Sequence, residues 1–252
     1  MDLGLRDLVY VVTGGSRGLG LATAQVLVAE GARVVLSARG AGAAAGAAGR
    51  LGAGRAAWLA ADNADPRTPA RLVAAAQESF GRLDGALISV GGPPGSTAMT
   101  TGDDAWRAAF ESVFLGAARL GRVLGGELAG GGAMAFVLSS SVRSPIPALA
   151  ISNGLRPGLA GLAKTMADEL GPRGVRVNGL LPGKMATARV CELDAARGDP
   201  DHVRHASSAA IPLRRYGEPE EFGRVAAFVL SPAASYLTGT MVAVDGGALG
   251  CI

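Results

Sequence analysis

Short apolar runs recur along the chain at Val9–Val12, Val34–Leu36, Ala86–Ile88, Phe136–Leu138, Val175–Val177 and Met241–Val244. Their hydrophobicity is continuous rather than alternating, which marks strands covered on both faces, as in a parallel sheet. A further short strand is expected at Ala57–Ala60. Between the runs, Leu19–Glu30, Pro66–Phe80, Asp103–Leu128, Leu155–Leu170 and Pro219–Leu230 carry apolar residues at helical spacing, and several end near a helix-stopping glycine. Strand and helix therefore alternate, predicting one α/β domain built on a doubly wound parallel sheet of about seven strands. Ala38–Arg55 is rich enough in alanine and glycine to look like a linker, but its length and its place between two strands favour a surface crossover helix.

The first strand runs directly into Thr13-Gly14-Gly15-Ser16-Arg17-Gly18-Leu19-Gly20 and then into a helix. In that context Gly14 permits the tight turn, Gly18 lets backbone amides approach a pyrophosphate, and Gly20 lets the helix pack closely on the strand. A chain with 39 glycines weakens any lone glycine match, but strand, loop and helix in this order point to a dinucleotide. The second strand ends Leu36-Ser37-Ala38-Arg39, without the acidic residue that would hold both ribose hydroxyls of NAD. Arg39 and Arg17 instead offer guanidinium groups to a 2′-phosphate, so the pattern favours NADP over NAD. Asp62, ending the third strand with Asn63 after it, is placed to accept a hydrogen bond from an adenine amino group.

Charge is balanced, with 24 basic and 21 acidic residues, a net charge of +3 and no run of one sign, which argues against a nucleic-acid or anionic-membrane surface. Cys191 and Cys251 stand far apart with no CxxC or neighbouring histidine, so neither a disulfide framework nor a metal site is expected. No apolar run approaches the roughly 20 residues of a membrane span. The start of the chain lacks a basic segment followed by an apolar one, and a soluble, unprocessed, cytoplasmic protein is the expectation.

These residues resemble the short-chain dehydrogenase/reductase family, and the similarity runs from about Leu5 to Gly247. It rests on Thr13–Gly20, on Asp62, and on Arg176-Val177-Asn178-Gly179-Leu180-Leu181-Pro182-Gly183 followed by Met185 and Thr187. The tail from Arg215-Tyr216-Gly217-Glu218-Pro219 to Val244-Asp245-Gly246-Gly247 extends it. The resemblance implies a Rossmann fold, a small-molecule substrate, and a homo-oligomer, either tetramer or dimer. It also implies that Pro182, Gly183, Met185 and Thr187 lie on the nicotinamide side, with Met185 bonding the carboxamide through its backbone. A substrate-covering lid is implied near residues 185–212, chiefly Arg189–Ala210. Its His202 and His205 read as polar lid surface, although either could enter the pocket on closure as an acid.

The departures are chemical. After the fourth strand the family's Asn-Asn-Ala-Gly gives way to Ser89-Val90-Gly91-Gly92-Pro93-Pro94-Gly95, in which Gly91 can still lie against the adenine ribose and the glycine–proline run can shape a loop over the cofactor. Val113 falls where the family has an asparagine that anchors a proton-relay water. By register, Ser152 stands for the family's proton-donating tyrosine and Arg156 for its lysine, which implies that Arg156 also belongs to the cofactor site by binding the nicotinamide ribose. Ser141 aligns best with the carbonyl-polarising serine, with Ser140 as the fallback. Serine has no titration near that of tyrosine at about 10, and arginine does not surrender a proton near neutrality. A divergent subset resembling 3-oxoacyl-carrier-protein reductases shares this Ser and Arg replacement. The expected function is NADP-dependent hydride transfer between nicotinamide and a carbonyl or alcohol, with Ser141, Ser152 and Arg156 as catalytic residues. The alternatives are an NADP(H)-binding pseudoenzyme with a sensor or scaffold role, or lyase or isomerase chemistry on the same fold.

Overall fold

Seven strands form one parallel sheet in the order β3-β2-β1-β4-β5-β6-β7 in the computed structural model, which describes residues 2–93 and 95–251. They are β1 (Val9–Val12), β2 (Arg33–Ala38), β3 (Ala56–Ala60), β4 (Gly85–Ser89), β5 (Ala133–Val137), β6 (Arg176–Pro182) and β7 (Met241–Val244). The order reverses at β1, which pairs with β2 on one side and β4 on the other, Val11 lying opposite both Val35 and Ala86. That reversal opens a crevice at the carboxyl ends of the strands, where ligands of open α/β sheets bind.

Alternation along β1 sorts the two cores. Val9 and Val11 join the cluster formed with α3 (Thr68–Phe80), α5 (Gly116–Glu127) and α6 (Ala150–Leu170). Tyr10 and Val12 point the other way, into the cluster with α1 (Gly18–Ala29), α2 (Ala41–Leu51) and α9 (Pro219–Leu230). Successive strand residues face opposite sides, so a continuous apolar run serves two helical layers at once. The Ala/Gly-rich segment is the crossover helix α2, buried through Ala44, Ala47 and Ala48.

The largest differences from the sequence pattern fall at three places. The Asp103–Leu128 stretch divides into α4 (Asp103–Ala109), a π-helical turn at Phe110–Leu115 and α5, with Val113 buried in the π turn. Strand β6 runs on to Pro182 because Asn178, which interrupts the apolar run, has its amide satisfied by Leu237 O at 2.8 Å and Thr240 N at 3.2 Å. Helix α6 begins at Ala150 rather than Leu155, taking in Ser152 and setting it on the same helix as Arg156. There Asn153 hides the helical continuation, since its side chain accepts from Ile146 N at 3.0 Å and donates to Ile146 O at 2.8 Å. Residues 185–212 carry two further helices, α7 (Ala188–Ala195) and α8 (Pro200–Ala209). Pro94, in the glycine–proline run expected to shape a loop, lies outside the described residues.

Candidate functional site

Thr13 fastens the crevice. Its hydroxyl donates to Ser89 O at 2.8 Å and accepts from Ser89 N at 2.9 Å, locking the end of β1 to the end of β4. Gly14 and Gly18 have φ of +59° and +57°, the left-handed region that glycine enters without strain. A Cβ on Gly20 would lie 2.5 Å from Gly14 O, so only glycine lets α1 start this close to the loop. Ser16 and Leu19 are half-buried in the same turn. A Cβ on Gly91, by contrast, would meet nothing within 4 Å, which leaves open space beside the end of β4.

The remaining cradle residues converge on this crevice. Asn63 donates to Ser89 O at 3.4 Å, while Asp62 Oδ1 accepts from Ala64 N at 3.0 Å in a local turn. Arg17 and Arg39 are both exposed. Arg17 reaches Glu192 of α7 at 3.9 Å, and Arg39 makes no ion pair among the described residues. From the other side, Gly183 N bonds Val244 O at 3.0 Å, tying the segment after Pro182 to β7. Met185 is buried, and its carbonyl accepts from Thr187 N at 2.7 Å. Thr187 caps α7 by accepting from Val190 N at 3.3 Å, and its methyl carbon lies 3.7 Å from where a Cβ on Gly18 would stand. The glycine loop and the segment after β6 thus face each other across a narrow gap. Left-handed glycines, open space at Gly91 and unpaired Arg39 fit a bound phosphorylated dinucleotide.

Beside the cradle, Ser141 sits on a short 3₁₀ turn whose start is capped by Ser139 Oγ, 3.1 Å from Ser141 N. The turn brings Ser141 Oγ to 3.3 Å from Ser152 Oγ, with the two residues 2% and 7% exposed. Of the two serines weighed by register, Ser141 makes this pair. One helical turn beyond Ser152, Arg156 is 5% exposed. Its Nη1 donates to Val137 O at 2.6 Å and its Nη2 to Val90 O at 3.4 Å, joining the ends of β5 and β4. Its Nε is buried without a partner, and burial pushes the guanidinium pKa down to about 10. Among the described residues no carboxylate pairs with it. It remains a cation at neutral pH.

His202 and His205 are exposed on α8. No group of three metal-ligating side chains occurs among the described residues, and no described helix is long and apolar enough to cross a membrane. Nothing in the sequence pattern marks Lys184 or Asp194, yet a half-buried Lys184 joins the buried Asp194 and Tyr216 in a polar cluster behind the loop that carries Met185. The one available signal is a lysine next to Gly183.

Residues 14–248 match a family model described as enoyl-(acyl carrier protein) reductase. The chain is 35% identical over 246 residues to the short-chain reductase protein NovJ of Streptomyces niveus, covering 96% of this chain and 94% of that one. L-sorbose reductase from Gluconobacter frateurii, solved with NADPH and L-sorbose, superposes with a TM-score of 0.93 at 31% identity over the whole of both chains. A short-chain oxidoreductase from Pseudomonas aeruginosa PAO1, described as containing an atypical catalytic center, superposes with a TM-score of 0.90 at 30% identity, again over both whole chains.

Proposed function

Because the chain belongs to the short-chain dehydrogenase/reductase family, we propose that it is an NADP-dependent oxidoreductase acting on a carbonyl or alcohol, 3-oxoacyl compounds among them, through a non-standard active site. The observation that carries this reading is the buried Ser141–Ser152 hydroxyl pair, 3.3 Å apart, one helical turn from the desolvated Arg156 cation. The NADPH complex of the L-sorbose reductase supports the choice of cofactor. So does the exposed Arg39 guanidinium, whose planar donors suit a 2′-phosphate.

Gly14, Ser16, Arg17, Gly18, Leu19 and Gly20 would hold the pyrophosphate and 2′-phosphate, Asp62, Asn63 and Gly91 the adenosine, and Pro182, Gly183, Met185 and Thr187 the nicotinamide end. When bound, the nicotinamide supplies or accepts the hydride. The chain's own part is electrostatic. Two hydroxyls with one mutual hydrogen bond keep a second proton free, and both can turn toward a substrate oxygen entering between them. Arg156, charged and drained of water, favours negative charge at that oxygen. Neither serine nor arginine releases a proton readily near neutrality, so water, the substrate or a lid histidine supplies it. Residues 185–212 act as the lid over this site, in a homo-oligomer.

One observation favours a second reading, an NADP(H)-binding pseudoenzyme with a sensor or scaffold role: both Nη atoms of Arg156 are committed to the carbonyls of Val137 and Val90. The two separate in one experiment. NADPH and NADH are titrated by fluorescence, and bound NADPH is then followed in single turnover against ketones, quinones and β-ketoacyl thioesters. Substrate-dependent oxidation establishes the reductase. Tight binding with no oxidation across the panel leaves the pseudoenzyme.

A further inference from the structure

Lys184 stands in the loop between β6 and α7, and its ammonium donates to three separate parts of the chain. These are Asp194 Oδ1 on α7 at 2.7 Å, Ser207 Oγ on α8 at 3.0 Å and Tyr216 Oη ahead of α9 at 3.1 Å. The Tyr216 hydroxyl donates in turn to Asp194 Oδ2 at 2.8 Å, so both carboxylate oxygens are engaged. Asp194 and Tyr216 are each 3% exposed. The backbone sets Lys184 and Tyr216 side by side, since Gly217 N bonds Lys184 O at 3.0 Å and Ala186 N bonds Gly217 O at 2.8 Å. Arg204 of α8 lies over the Tyr216 ring, 5.0 Å from its centroid.

What makes this cluster more than local packing is that no other residue within the two helices is buried. Asp194 is the one buried residue of α7, and α8 buries none. A surface helix is ordinarily held by an apolar stripe facing the core. Here the buried attachment is a charged side chain, and a buried charge stays only while its partners are in place. At its opposite edge α7 has a further tie, Arg189 Nη2 donating to Pro93 O at 2.6 Å. Lys184 also directly precedes Met185, so one loop carries both the anchor of α7–α8 and the nicotinamide-side residues.

We propose that Lys184 is a positioning residue that sets the α7–α8 pair over the active site, acting through Asp194 and Tyr216. The inference rests on the reading of α7–α8 as the substrate-covering lid. Its test is hydrogen exchange on the full chain saturated with NADPH, comparing wild type with Lys184→Met, Lys184→Arg and Tyr216→Phe. In Lys184→Met, amides of residues 188–209 exchange about a hundredfold faster while those of β1 and β4 keep their protection. Lys184→Arg, which retains the ion pair with Asp194, restores most of the protection. Tyr216→Phe, which loses both hydrogen bonds of the hydroxyl and keeps the Lys184–Asp194 pair, falls between and serves if Lys184→Met does not fold. Where the wild type oxidises NADPH with a member of the carbonyl panel, Lys184→Met raises KM about tenfold or more and changes kcat less. Unchanged exchange at residues 188–209, or an equal rise throughout the sheet, overturns the proposal. Exchange reads the helices without turnover, so an inactive wild type would count against the reductase reading alone.

Discussion

Ser141 and Ser152 come from different elements, a 3₁₀ turn after β5 and the first turn of α6, and meet as buried residues with their hydroxyl oxygens 3.3 Å apart. If this pair polarises the substrate oxygen, losing one hydroxyl removes a donor felt chiefly as charge develops. Ser152→Ala and Ser141→Ala are each expected to slow single-turnover NADPH oxidation about 100- to 1,000-fold, the range for one oxyanion donor. NADPH affinity should stay within about threefold, because neither hydroxyl belongs to the phosphate cradle. Unchanged single-turnover rates in Ser152→Ala would remove Ser152 from the mechanism.

Two glycines at the crevice should respond oppositely to a methyl group. A Cβ on Gly20 would stand 2.5 Å from Gly14 O, backbone against backbone, whereas one on Gly91 would meet nothing within 4 Å. Gly20→Ala must push α1 away from its loop, so the variant is expected to lower the melting temperature and abolish measurable NADPH binding. Gly91→Ala should fold with an unchanged melting temperature and lose NADPH affinity about tenfold, the new methyl occupying space needed by the ribose. Melting curves with and without NADPH separate the two. Equal behaviour of the variants would count against the proposed seat of the adenosine.

The layering of the fold was legible because it rests on period and punctuation. Each of the seven strands overlaps one of the expected apolar runs, and Met241–Val244 and Pro219–Leu230 keep their expected limits. Reading failed where a polar side chain does a local job. Asn153 and Gly154 look like a break in the pattern, yet Asn153 spends its amide on Ile146 and the helix passes through. Of the site, the glycine loop was visible because a left-handed turn demands glycine. The Ser141–Ser152 register came from resemblance and became a distance only in three dimensions. The Lys184–Asp194–Tyr216 cluster was not legible, since its members lie up to 32 positions apart and carry no spacing rule.

Arg39 is exposed at the end of β2, and no carboxylate pairs with it among the described residues. Should it meet the 2′-phosphate, Arg39→Ala removes charge-assisted hydrogen bonds made to NADPH and not to NADH. NADPH affinity is then expected to fall about 10- to 100-fold while NADH affinity stays within about twofold. The loss should shrink at high salt, because the contact is exposed to solvent. A matched loss for both cofactors would assign Arg39 to the loop's structure and withdraw the preference for NADP.

Glu221 ties the start of α9 to the segment after α8. Its carboxylate takes both terminal nitrogens of Arg215 at 2.7 Å and accepts from Glu218 N at 2.8 Å. The Arg215 bonds, with the Glu218 amide second, hold its pKa at about 2 instead of the usual 4.5. With the folded value below the unfolded one, the unfolded chain binds the extra proton first as the solution is acidified. The stabilisation is therefore complete above pH 4.5 and is lost as pH falls toward 2. The pair is solvent-exposed, so the effect is small and weakens with salt. Glu221→Gln should melt below wild type at pH 7, and the gap should close progressively as the pH is taken from 4.5 to about 2 at low ionic strength. A gap that stays constant across that window would mean that the loss in Glu221→Gln does not come from the ionised carboxylate.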